Sequence, residues 1–264
     1  MPWFRYHTTQ FSMDTFLKKL IREAGQLAKE YFDAGVTHRS KAHLGDLVTD
    51  ADIAVSNFLV SAIQQEYQGH HIHSEEMAED INRGAEYEWV IDPIDGTRNF
   101  AFGIPMWCNL VAVMKSGEPY LAAVYNANAD ELFFAEADKG ATMNGMPIRV
   151  NDTETLEHGF AVVTRAWKDN PEGYVRLMDR LTRETNVWMH NFGTMLGVCF
   201  VASGGADFFA GNSGFDHDNL APALICREAG ALVTDSEGNS WRRGRSDLVI
   251  ANPKLHPKIM ELFE

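Results

Sequence analysis

Trp89-Val90-Ile91-Asp92-Pro93-Ile94-Asp95-Gly96-Thr97 is the stretch on which the reading of this chain turns. Its first three residues are an apolar run of strand type, and two carboxylates follow at once. Pro93 has a fixed φ and no N–H, so the chain is expected to leave the strand there, and Gly96 permits a tight turn. Asp92 and Asp95, three residues apart on such a turn, can converge on one point. Like charges in a half-buried corner repel, and a divalent cation is a good reason for a fold to keep them together. Taken alone, the same residues read equally as a turn at Asp95-Gly96 and a helix cap at Asp92. Carboxylates arriving from elsewhere in the chain decide between the two.

Working outward, several acidic groups are available. Glu75-Glu76 closes the strand before Trp89, Asp46, Asp50 and Asp52 crowd the start of a helix, and Asp216-His217-Asp218 opens another. Acids gather at helix N-termini through capping and the dipole, so Asp50 and Asp52 also read as ordinary caps. His71 and His73 share one side of a strand, but no third soft ligand accompanies them, and they read as plain strand histidines.

Periodicity places helices over residues 12–32 and 52–67, strands at 47–49, 71–73 and 88–91, and an antiparallel meander over 107–114, 120–125 and 131–135. Asn144-Gly145 marks a tight turn. Beyond residue 151, strands at 160–164, 187–189, 207–210 and 231–234 alternate with helices at 171–183, 193–202 and 218–228, the pattern of an α/β-type half. Two halves are therefore expected: residues 1–150, carrying most of the acidic candidates, and residues 151–264, supplying the last of them.

The chain has 264 residues, 45% hydrophobic and 23% charged, enough for a large core. Its formal net charge of −14 argues against nucleic acid as a partner. If the ligand is an anion, bound cations must offset that charge locally. Three widely spaced cysteines, Cys108, Cys199 and Cys226, point to free thiols in a reducing compartment. The first residues lack the apolar run of a signal peptide, and no apolar stretch is long enough for a membrane span, so a cytoplasmic location is expected.

Taken together in order, the motifs resemble one family. Asp92-Pro93-Ile94-Asp95-Gly96-Thr97-Arg98-Asn99-Phe100 is similar to the signature of the inositol monophosphatase family. Ser74-Glu75-Glu76 resembles its Gly-Glu-Glu step, and Asp46-Leu47-Val48-Thr49 its upstream segment. Gly140 to Gly145, Gly204 to Asp207 and Arg227 to Gly230 match later landmarks. The resemblance implies a layered αβαβα sandwich of two halves, a homodimer, and lithium-sensitive, Mg²⁺-dependent hydrolysis of a small phosphate monoester, inositol monophosphate first. Histidinol phosphate, fructose 1,6-bisphosphate and 3′-phosphoadenosine-5′-phosphate are the alternative substrates, and a regulatory binding protein on the same fold is the non-enzymatic one.

The resemblance also implies roles. Glu75, Asp92 and the carbonyl of Ile94 would hold a first Mg²⁺. Asp92, Asp95 and Asp218 would hold a second, with Asp216 as a rival to Asp218, and a third ion is possible near Glu75. Thr97 paired with Asp46, together with Glu75, would activate water. Gly96, Thr97, Gly193 and Thr194 would contact substrate. All these ligands are oxygens, which suits Mg²⁺ rather than Zn²⁺. Two features depart from the pattern: His217-Asp218 stands where the family has Trp-Asp, and Gly211 replaces the glutamate that binds sugar hydroxyls.

Overall fold

The structure is a computed structural model that describes residues 12–35, 38–40, 47–164 and 170–264. In chain order, helix α1 (Met13–Ala34) is followed by strands β1 (His38–Ser40) and β2 (Leu47–Thr49), which pair antiparallel. Helix α2 (Asp50–Glu66) starts two residues earlier than periodicity suggests. Thr49 is its N-cap, with the Asp52 carboxylate reaching back to the Thr49 N–H in a capping box.

Strands β3 (His71–Ser74), β4 (Tyr87–Asp95), β5 (Cys108–Lys115), β6 (Glu118–Asn126), β7 (Glu131–Glu136), β8 (Ala141–Met143) and β9 (Met146–Ile148) form one seven-stranded sheet in sequence order. Only β3 and β4 run parallel; the other pairs are antiparallel. The turn between β8 and β9 carries Asn144 and Gly145, both at positive φ.

Side-chain alternation splits this sheet between two cores. Trp89, Ile91, Val111, Val113 and Ala123 face α1 and α2. Gly25 allows α1 to approach closely, because a Cβ there would collide with the Tyr125 ring. The opposite face, with Val90, Leu110, Ala112 and Val124, packs on two later helices. These are α5 (Leu196–Ala202) and α6 (Asp216–Glu228), the last α-helices before the C-terminal one; α3 (Thr97–Ala101) and α4 (Pro171–Glu184) precede them.

The same α5–α6 layer covers a second sheet through Val162, Phe209 and Ile250. That sheet has the order β11 (Trp188–His190), β10 (Phe160–Val163), β12 (Phe208–Asn212), β14 (Asp247–Ala251), β13 (Leu232–Thr234). Its outer face packs on α4 and α7 (His256–Met260) through Tyr174, Leu177 and Ile259. The layers are thus helix, sheet, helix, sheet, helix, the αβαβα sandwich that the motifs implied.

Two local expectations are corrected. Strand β4 does not end at Ile91 but runs on to Asp95, and Pro93 sits in a register irregularity between Asp92 and Asp95. A bulge needs no ladder N–H from the proline, so the strand tolerates it. Helix α5 begins at Leu196, leaving Gly193 and Thr194 in the preceding loop. The second sheet is mixed, with β14 inserted antiparallel between β12 and β13.

Candidate metal centre

The bulge in β4 brings both of its carboxylates to the same point. Asp92 is 2% exposed and Asp95 8% exposed, and oxygens of Asp92, Asp95 and Asp218 all lie within 4.8 Å of one another. Among the described residues, this is the one such acidic cluster. Asp218 arrives on the first turn of α6, where its Oδ2 accepts the Phe215 N–H at 2.6 Å. Asp216, the rival, is committed elsewhere: its carboxylate accepts Arg243 Nε–H at 2.6 Å and the Gly244 N–H at 2.9 Å. Arg243 also grips Glu88 with both terminal nitrogens, tying the two sheets together beside the site.

Electrostatics mark the cluster as incomplete. Burial, then repulsion from Glu75, Asp95 and Asp218, pushes Asp92 well above the carboxylate range. Burial and the Asp218 charge push Asp95 up to about 7, although hydrogen bonds from Thr194 and Met195 oppose this. Asp218 is raised as well, chiefly by burial. Asp92 Oδ1 is buried without a hydrogen-bond partner among the described residues. A buried carboxylate oxygen with no donor, ringed by like charges, is stabilised best by a cation. An all-oxygen donor set suits Mg²⁺.

The remaining predicted residues surround this point. Glu75 lies just past β3, its N–H on the Ile91 carbonyl at 3.0 Å, and its charge bears on both Asp92 and Asp218. The Ile94 carbonyl accepts Thr97 Oγ1–H at 2.9 Å. Gly96 adopts a left-handed conformation (φ 88°), and a Cβ there would press on Met106 O at 3.1 Å and Thr194 Cβ at 3.2 Å. Only glycine lets the bulge and the 193–194 loop meet so closely. Asp46 lies outside the described residues.

Two residues have contacts the sequence did not signal. Asp52, fully buried, caps α2 through one oxygen and places the other 3.4 Å from Thr97 Oγ1. Thr194, expected at the substrate, donates its hydroxyl to Asp95 Oδ2, which also takes the Met195 N–H and the Cys108 thiol, the latter at 3.3 Å. Three donors on one oxygen fix the carboxylate and leave its other oxygen for a cation. Thr194→Val should therefore weaken Mg²⁺ binding about 10- to 100-fold, the usual cost of losing such support, as read by titration calorimetry. If Thr194 served the substrate alone, Mg²⁺ affinity would hold and KM would rise instead.

Other sequence readings are met. Cys108, Cys199 and Cys226 are buried and free. His71 and His73 both bond to Asp80, at 3.1 and 2.8 Å. No helix among the described residues is long and apolar enough to cross a membrane.

Comparison with known proteins gives the chain's family and fold. A putative Nus factor SuhB from Neisseria meningitidis serogroup B is 34% identical over 262 residues, covering 95% of this chain and 98% of its own. A fructose-1,6-bisphosphatase/inositol-1-monophosphatase from Thermotoga maritima is 28% identical and covers 94% of each chain. Among solved structures, extragenic suppressor protein suhB from Bartonella henselae superposes with a TM-score of 0.88 at 25% identity, over 95% of this chain and 97% of that one. The Thermotoga maritima IMPase does so with 0.85 at 27%, over 94% and 95%. The profile of the inositol monophosphatase family matches residues 10–264, the acidic cluster included, and the chain belongs to that family.

Proposed function

We propose that this protein is a Mg²⁺-dependent phosphatase that hydrolyses a small phosphate monoester at the Asp92–Asp95–Asp218 cluster. The observation that carries this is the buried Asp92 Oδ1, which has no donor among the described residues and sits among like charges. Family membership and the fructose bisphosphatase/inositol monophosphatase relative support a phosphatase. Asp92, Asp95 and Asp218, with Glu75 and the Ile94 carbonyl, are the residues that would hold two or three ions. When bound, Mg²⁺ offsets the phosphate charge, acidifies water and stabilises the departing alkoxide.

The protein's own groups do the rest. Thr97, with its hydroxyl between the Ile94 carbonyl and Asp52, is placed to orient the attacking water. Asp52 is one carboxylate next to that hydroxyl, and Asp46, the partner of Thr97 that the family implies, is the further candidate base with Glu75. The N–H groups of Gly96 and Thr97 and the loop at Gly193 form the phosphate side of the site. Inositol monophosphate is the substrate implied by the family. Histidinol phosphate is the alternative, followed by fructose 1,6-bisphosphate and 3′-phosphoadenosine-5′-phosphate. The chain is proposed to work in the cytoplasm as a homodimer.

Phosphate release from these four compounds, with and without Mg²⁺, tests the reading. Release only with Mg²⁺ supports it; no release from any of them contradicts it. The SuhB relatives named Nus factors favour a second reading, a regulatory binding role on the same fold. That reading predicts a folded protein with no turnover.

A further inference from the structure

One side of the site is lined by rings. Phe215, more than half exposed, stacks on His217 with centroids 5.4 Å apart and planes 28° apart, and His217 faces His73 at 6.2 Å and 26°. All three line a cavity of about 640 Å³ together with Asp216 and Arg245. The ring series begins at the acidic cluster, since His217 Nε2 is 3.9 Å from Asp218 Oδ2. His73 is two residues from Glu75 and is fixed through Nδ1 by Asp80.

The cavity's charged groups are already engaged. Asp216 is held by Arg243 and Gly244, and Arg245 lies on Asp247 at 3.0 and 3.1 Å. Each hydroxyl of a polyol would need a partner to replace water, and the engaged carboxylate and guanidinium leave the imidazole nitrogens to serve several of them. At Gly211 a carboxylate-bearing side chain has no room, because its Cβ would collide with Thr164 Oγ1 and the Phe209 ring. Stacked rings offer a flat ring both apolar area and quadrupolar attraction, and imidazole nitrogens can exchange hydrogen bonds with a ring nitrogen.

Resting on the phosphatase reading, we propose that the leaving alcohol carries a flat, nitrogen-bearing ring that lies against Phe215, His217 and His73. The experiment measures kcat/KM of the full chain in Mg²⁺ for histidinol phosphate and adenosine 2′-phosphate, which carry such a ring, and for glycerol 2-phosphate, which does not. Wild type, Phe215→Ala and Phe215→Tyr are compared. At least one ring-bearing substrate should exceed glycerol 2-phosphate in the wild type. Phe215→Ala should lower that substrate by about two- to tenfold, the range of one aromatic contact. It should leave glycerol 2-phosphate within about twofold, and Phe215→Tyr should restore the difference. Equal loss on all substrates, or an unchanged ratio, overturns the inference while leaving the phosphatase reading intact. If both ring substrates go unhydrolysed the inference fails, and the phosphatase reading fails with it only when inositol monophosphate, fructose 1,6-bisphosphate and 3′-phosphoadenosine-5′-phosphate also release no phosphate.

Discussion

Asp92→Asn should abolish phosphate release, by roughly a thousandfold or more, while leaving the protein folded and more stable than wild type without metal. The two effects have one cause. Asp92 sits among Glu75, Asp95 and Asp218 in a buried corner that raises its pKa well above the carboxylate range. Removing that charge relieves repulsion that nothing in the described protein offsets. It also removes a cation ligand, and a thousandfold loss corresponds to about 4 kcal/mol of barrier. Asp95→Asn should behave alike, with a further disturbance, because its Oδ2 accepts from Thr194, Met195 and Cys108. Kinetics at saturating Mg²⁺ and thermal melts in chelator measure the two effects. Loss of activity with loss of metal-free stability would make these aspartates ordinary structural hydrogen-bond acceptors.

The second large effect is on stability against pH. Burial first, then Asp218, lifts Asp95 from 3.8 to about 7, so the folded metal-free protein binds its proton more tightly than the unfolded chain. The unfolded state therefore holds fewer protons between these values, and stability falls as pH rises through that window. Asp92 and Asp218 are shifted the same way. Three units on one group correspond to at most about 4 kcal/mol, or about 10 °C in Tm for a chain of this size. Buried His256, held below its usual 6.5, pulls the other way at the acidic end. The test is thus the difference between wild type and Asp95→Asn, melted in chelator at pH 5 and pH 8. Wild type should lose more stability than the variant on going to pH 8, and Mg²⁺ should restore it in wild type only. Parallel curves for the two proteins would contradict the raised carboxyl.

The large elements were legible because their causes are local. The apolar stripe of α1 and the alternation of β5 to β7 follow from side-chain period alone. The carboxylates of β4 were legible as candidates, but their convergence was not a property of the turn first inferred. The strand continues through Pro93 because a bulge, set by its partner β5, absorbs the proline. Pairing partners are long-range information. The same limit hid β14, whose five buried residues find their place only between β12 and β13.

Choosing Asp218 over Asp216 likewise required Arg243, which occupies Asp216 from 27 positions away. Asp52 looked like a cap and is one. A carboxylate has two oxygens, and the second faces Thr97 only because α2 packs beside the end of β4. Thr194 carried a resemblance to a substrate contact, whereas its hydroxyl points at Asp95.

Crystals grown without metal and soaked in Mn²⁺, which supports anomalous scattering and shares the oxygen preference of Mg²⁺, test the central claim most directly. The account predicts an anomalous peak bounded by Asp92, Asp95 and Asp218, about 2.0–2.2 Å from the carboxylate oxygens, lost in Asp92→Asn. Crystals without a peak at that cluster, at a Mn²⁺ concentration that supports full turnover in solution, would contradict it.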